Sequence, residues 1–364
     1  MQRYRAFIIK LLHYILKGVS AVEINARRIL IETIIKRALD ELQKAPERSC
    51  RRLVDMALNF SDGRFQRDFF AAAQTMLEDE YSPYYDLIQD IADNVSREKL
   101  LRFGVNIGYN SCTMGAKTIR EIEDTEGFNV PWCLFWRLDA LRLRQNFQRC
   151  SGIINQGEKL GIYTWQFFCS GDVSEYLRLA KEHPHCAFVL YVEPEAVTLP
   201  LIYSASAVDN LMFVIRYTEE TEEVCSLMRG NKLLYSVYHE YSADNAEEIL
   251  NGELCARLEA LHPAFVGLLP EKDCPVNIRN GIYDYILDAR KKQLFQTILW
   301  EIKRDAAFID SVISSDACSV LIDNEGMFYE GKTDQSVFLA PLKEMFRVNL
   351  AKPATFTEPS KREG

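Results

Sequence analysis

The spacing of apolar positions changes part-way along the chain. Up to about residue 100 they recur with helical period, as in Ile29-Leu30-Ile31-Glu32-Thr33-Ile34-Ile35 and Phe69-Phe70-Ala71-Ala72-Ala73, with breaks at Pro46 and at Ser61-Asp62-Gly63. Residues 1–100 are therefore expected to be all-helical. From Val130 onward, short β-branched or aromatic runs alternate with helix-length segments, the pattern of repeated βα units. The runs predict strands over 130–136, 161–169, 186–192, 211–217, 232–241, 264–269 and 293–300. Helices are expected over 173–181, 219–229 and 246–261, long enough for right-handed crossovers. The fold class is α/β, with a partial or full (β/α) barrel over residues 101–350 behind the helical extension.

Past the last run, Cys318-Ser319-Val320-Leu321-Ile322, then Asp323-Asn324-Glu325-Gly326 and Met327-Phe328-Tyr329, predict a hairpin closed by glycine. Its acidic turn lacks the twelve-residue ligand spacing of a calcium loop. Residues 3–17 place Arg3, Arg5, Lys10 and Lys17 around apolar positions at helical spacing. They are too short and too charged to span a bilayer, so a helix packed on its own domain is expected, with a membrane surface as the alternative. Residues 351–364, polar and carrying Pro353 and Pro359, are expected to be a disordered tail.

Composition sharpens this picture. With 364 residues and 48% hydrophobic content, the chain can fill one barrel-sized domain plus its extension. Its 43 basic and 52 acidic residues give a net charge of −9, which repels a phosphate backbone and sets nucleic acid aside as a partner. The ten cysteines are dispersed, none closer than seventeen positions to the next, and no Cys-x-x-Cys occurs. Most lie in apolar runs such as Trp132-Cys133-Leu134 and Cys186-Ala187-Phe188, where free cysteine behaves as a small hydrophobe. A reduced, cytoplasmic setting is expected rather than a disulfide scaffold.

Several segments in common order resemble one family. They are Phe103-Gly104-Val105-Asn106-Ile107-Gly108 leading to Gly127-Phe128-Asn129-Val130-Pro131-Trp132; Ile153-Ile154-Asn155-Gln156-Gly157-Glu158-Lys159-Leu160-Gly161-Ile162-Tyr163; Leu179-Ala180-Lys181-Glu182-His183-Pro184-His185-Cys186-Ala187-Phe188; and the closing hairpin. Over residues 101–329 the chain resembles the radical S-adenosylmethionine (radical SAM) enzymes that carry a helical extension before a partial (β/α) barrel. That resemblance implies a [4Fe–4S] cluster and S-adenosylmethionine. It also implies a three-cysteine loop after the first strand, where this sequence has Trp136-Arg137-Leu138-Asp139-Ala140-Leu141-Arg142-Leu143-Arg144-Gln145-Asn146-Phe147. The family's Gly-Gly-Glu-Pro after strand two is replaced by Phe168-Cys169-Ser170-Gly171-Asp172, and Glu193-Pro194-Glu195 follows strand three. No cofactor is therefore expected.

In parallel barrels function gathers at the carboxyl ends of strands. The candidate ligand site there comprises Cys169, Ser170, Asp172, Glu193, Glu195, Arg216, His239, Glu240, Glu301 and Lys303, with Lys272 and Asp273 beside them. Of His239 and Glu240, adjacent on a strand, only one can point inward. His183-Pro184-His185 has metal-ligand residue types but falls at the amino end of the barrel. The leading expectation is a pseudoenzyme, a radical SAM-like binding module for an active relative, another protein or a small polar ligand. Two alternatives stay open. One is non-radical acid–base chemistry by Glu193, His239 and Glu301; the other is a cluster held by dispersed thiols such as Cys133, Cys150 and Cys169.

Overall fold

The β-branched and aromatic runs become strands where both faces can be buried. The computed structural model describes residues 21–42, 46–59, 71, 73–314 and 316–352. Its strands are β1 (Cys133–Asp139), β2 (Thr164–Ser170), β3 (Ala187–Val192), β4 (Leu211–Arg216), β5 (Tyr235–Tyr241), β6 (Phe265–Pro270), β7 (Ile298–Glu301) and β8 (Val320–Ile322). All neighbours pair in parallel, in the order β7-β6-β5-β4-β3-β2-β1-β8. Since β7 and β8 are the two edges, the sheet curls into a partial rather than a full (β/α) barrel.

All seven predicted runs appear as strands. The eighth was read only as one arm of a hairpin. That hairpin forms, with the Asp323 amide donating to the Met327 carbonyl and Tyr329 to Leu321, while Leu134, Phe135 and Trp136 pair with Val320, Leu321 and Ile322 on the other side. The expected helix over 246–261 is two helices, Ala246–Leu250 and Glu253–Glu259, because Gly252 between them takes a left-handed φ of 83°.

The described part of the extension is helical, with helices Ala21–Leu42, Pro46–Asn59, Pro83–Asn94 and Arg97–Val105. Ser82 and Ser96 cap the last two, accepting from the amides of Tyr84 and Lys99. The last helix runs into a wider-wound, π-type stretch, Asn106–Gly115, fastened by Asn106 and Asn110 donating to the carbonyls of Cys186 and His185. Lys99 joins extension to barrel: its buried ammonium donates to the carbonyls of Ala205, Ser206 and Val208 at 3.0, 3.1 and 2.7 Å.

Residues 3–17 lie outside the described residues, and no described helix is long and apolar enough to cross a membrane. Of the expected tail, residues 353–364 also lie outside. Ala351 and Lys352 belong to the fold, since Ala351 bridges Phe128 and the Lys352 amide donates to Gly127.

Candidate functional site

The two faces of the sheet have different environments. On one, Phe167 meets Tyr176 of helix Ser174–Glu182 edge-on at 5.7 Å, and Trp165 lies against Gly157 of helix Phe147–Leu160. Trp136, Trp165, Phe167 and Phe188 on this helix-covered side are 0% exposed. The opposite face lines the inside of the curl. Tyr191 of β3 and Tyr238 of β5 meet there at 5.4 Å although a whole strand separates them. Two strand spacings in a flat sheet are about 9.5 Å, so the curvature brings these rings together. Small exposures persist along this inner face, 6% at Phe135, 8% at Gln166, 5% at Tyr191 and 9% at Met212. Both faces are buried over most of their length, and exposure on either side rises toward the carboxyl ends of the strands, at Phe168, Cys169, His239 and Glu240.

The inner face is an aromatic trough with polar ends. Phe168 stacks on Tyr191 at 4.6 Å and on Phe135 at 6.2 Å, and the Tyr191 hydroxyl donates to Gln166 at 2.7 Å. Burial pushes the hydroxyls of Tyr191 and Tyr238 above their usual range, so both stay protonated. The Arg137 guanidinium lies 5.6 Å over the Phe168 ring. Farther round the mouth, Arg216 pairs with Glu240 at 2.6 Å and with Glu193 at 3.5 Å. A hollow of about 380 Å³ bounded by Lys36, Arg97, Glu98, Leu101, Arg102 and Asp209 sits elsewhere, against the helical extension.

Of the predicted ring, the structure therefore brings Glu193, Arg216 and Glu240 together and turns others away. Strand alternation sends His239 to the helix side, where it meets Tyr217 at 6.0 Å and the Asn245 amide at 3.1 Å. Burial lowers its pKa and keeps the ring neutral. Cys169 is on the same outer layer, its thiol pushed well above the usual range by burial, which leaves no thiolate nucleophile there. Glu301 is a helix cap, accepting from the Arg304 amide and, at 3.1 Å, from the Tyr241 hydroxyl. Burial raises its pKa. The trio Glu193, His239 and Glu301 thus does not converge. Asp172 pairs with Arg144 and accepts from the Ser174 amide, which holds its carboxyl below the usual range. Ser170, Glu195, Lys272 and Asp273 are exposed, and Lys303 stands in the first turn after β7.

The segment that follows β1 is short and already folded. β1 runs directly into helix Ala140–Gln145, whose cap is Asp139, accepting from the amides of Leu141 and Arg142 at 2.8 and 3.3 Å. Cys133, Cys150 and Cys169 do not gather. Cys133 and Cys169 face opposite sides of the sheet, and among the described residues no three His, Cys, Asp or Glu side chains form a metal-ligand group. All ten cysteines are free and eight are buried, as expected for small hydrophobes.

No protein-family model matches this sequence, and neither does any curated protein. Solved structures do overlap. Streptococcus suis SuiB bound to S-adenosylmethionine superimposes with a TM-score of 0.48 and 9% identity over 63% of this chain and 66% of that one. SuiB bound to precursor peptide SuiA gives 0.48 and 8% over 63% and 67%. Ornithine decarboxylase from Entamoeba histolytica gives 0.28 and 13% over 52% and 62%. The chain thus spans about two-thirds of SuiB, and likenesses this slight assign no chemistry.

Two features of this region were not legible beforehand. The aromatic trough was missed because strands such as β3 and β4 are apolar in both phases, so their alternation does not say which side faces the helices. At the amino end, His183 is buried between Ser151 and Glu158, with Ser151 Oγ 2.9 Å from Nε2 and Glu158 Oε1 3.2 Å from Nδ1. This has the spacing of a nucleophile, base and orienting acid. However, Ser151 also donates to Glu182 at 3.2 Å and lies mid-helix, where backbone amides are already used and offer no oxyanion donors. The cluster ties two helices to the amino end of the barrel, and His185 turns away from His183 to Arg28.

Proposed function

We propose that this chain is a radical SAM-like partial barrel in which binding replaces cluster chemistry, a pseudoenzyme serving as a ligand or partner module. The observation that carries the reading is the direct passage of β1 into the Asp139-capped helix Ala140–Gln145, with no cysteine from 137 to 147. A [4Fe–4S] cluster needs thiolates converging from one loop, and the residues here offer an arginine platform and a capped helix instead. They do not fit the cluster. The separation of Glu193 from His239 and Glu301 supports binding over acid–base chemistry. The partner is an active relative or another protein, with a small ligand taken at the inner face.

Anaerobic incubation with iron and sulfide, followed by metal analysis and visible absorbance, tests this reading. The expected result is iron far below one cluster per chain and no persistent absorbance. A stable, stoichiometric cluster would overturn it.

A further inference from the structure

At the amino end of the barrel the helical extension is fastened by a permanent cation against a titratable ring. Arg28, near the start of helix Ala21–Leu42, places one guanidinium nitrogen 3.2 Å from Nε2 of His185 and closer still to Nδ1, on the loop that leads into β3. Arginine stays charged at any pH a protein survives, and it can only donate. The imidazole accepts only while neutral, because both ring nitrogens carry protons once it is charged. The contact therefore belongs to one protonation state of His185.

The groups around the ring set what a proton would do there. On the same helix, Glu32 accepts from Arg28 Nε at 3.1 Å, and Arg102 of helix Arg97–Val105 meets that carboxylate at 3.3 Å. Two arginines thus share one acid before any charge appears on His185. Glu158 of helix Phe147–Leu160 also faces the loop, but His183 Nδ1 at 3.2 Å and the Cys186 thiol at 3.4 Å already engage it. Within the loop region, His183 and Glu182 are turned to Ser151. Tyr163, ahead of β2, stays protonated, its pKa raised by burial to about 12, and Asn110 donates to the His185 carbonyl at 2.9 Å. A charged ring would be a third cation beside Arg28 and Arg102. Burial pushes the pKa of His185 below its ordinary 6.5, with Arg28 and Arg102 acting the same way and Glu158 and Glu32 opposing.

We infer that Arg28 and His185 form an acid-sensitive latch, which fastens the beginning of helix Ala21–Leu42 to the barrel and lets go when His185 takes a proton. The release is local. Farther along the helix, Ile31, Ile35 and Leu39 pack on Leu101, Val105 and Tyr109, and Arg97 donates to the Lys36 carbonyl at 2.7 Å. Helix Arg97–Val105 is itself tied to the barrel by Lys99. No histidine takes part in those contacts. A ring whose pKa is lower folded than unfolded leaves the latch at full strength above about pH 6.5 and weakens it as pH falls through that range. The latch stands apart from the proposed binding role, since it joins the amino end of the barrel and not the mouth.

The test is amide hydrogen exchange of the full chain at about pH 7.5 and about pH 5.5, with rates corrected for intrinsic exchange at each pH so that protection reads local opening. The pair is partly exposed, so protection over residues 29–34 is expected to fall by about fivefold at the lower pH, the effect of an exposed charge pair, while residues 98–105 keep theirs. His185→Gln retains a neutral acceptor and Arg28→Gln a neutral donor, and each is expected to abolish the fall. His262→Asn, at an exposed histidine elsewhere, is expected to retain it. The inference is overturned if residues 29–34 are unprotected at the higher pH, if their protection does not change with pH, or if His185→Gln loses protection as the wild type does. An equal loss over residues 98–105 overturns it as well, because the whole extension would then be loosening.

Discussion

Asp310 provides the sharpest physical test of the structure. It lies on helix Ile302–Ile313 and is 0% exposed. Burial raises its carboxyl from 3.8 to about 7, and the charge of Glu123 pushes the same way. The Trp132 amide donates to it at 2.8 Å and the Ser319 hydroxyl at 3.1 Å; these, with the Cys318 amide, pull the value down without overcoming burial. For an acid whose folded value is raised, the native state holds the extra proton. Unfolded Asp310 loses its proton near pH 4 and the folded residue near pH 7, so stability falls as pH rises across that window. A gap of about 3 pH units corresponds to at most about 4 kcal/mol. Asp310→Asn removes the titration while keeping the shape. Its carbonyl oxygen can still accept from Trp132, and its amide can donate to Ser319, whose hydroxyl can turn to accept. Urea unfolding of both proteins from about pH 4 to about pH 8 reads the difference. Wild type is expected to lose up to about 4 kcal/mol more than the variant over that range. Parallel pH profiles would refute the argument that the buried carboxyl stays protonated.

Other outcomes follow from packing. Lys99→Met strips the shared donor from the carbonyls of Ala205, Ser206 and Val208 and is expected to lower unfolding free energy by about 2–4 kcal/mol in urea. An unchanged midpoint would show that the ammonium does not join extension to barrel. Two glycines of helix Phe147–Leu160 should respond oppositely in thermal melts. A Cβ at Gly157 would sit 2.4 Å from the Trp165 ring, so Gly157→Ala is expected to destabilise by about 1–3 kcal/mol despite better helix propensity. At Gly152 nothing lies within 4 Å, and Gly152→Ala is expected to stabilise by about 0.5–1 kcal/mol. Equal shifts in Tm would contradict the packing of this helix on β2.

The alternation of aromatic runs with helical segments was enough to place all seven internal strands, because strand propensity and the change of period are local properties. The spacing of the cysteines likewise excluded a one-loop cluster motif, and the dominance of burial over reactivity held for Cys133 and Cys186, whose thiols are pushed well above the usual range. A sequence does not show which phase of an apolar strand faces inward. That choice separated Glu240, paired with Arg216, from its neighbour His239, and it turned Cys169 away from the mouth that Phe168 lines. The eighth strand was likewise invisible as such, since three residues, Val320–Ile322, pair with β1 only after the chain has circled the sheet. Local chemistry named the elements of this protein. Curvature and pleat, set by packing between residues far apart in the chain, decided which side chains share the trough: Arg137 and Tyr191 do, and His239 does not.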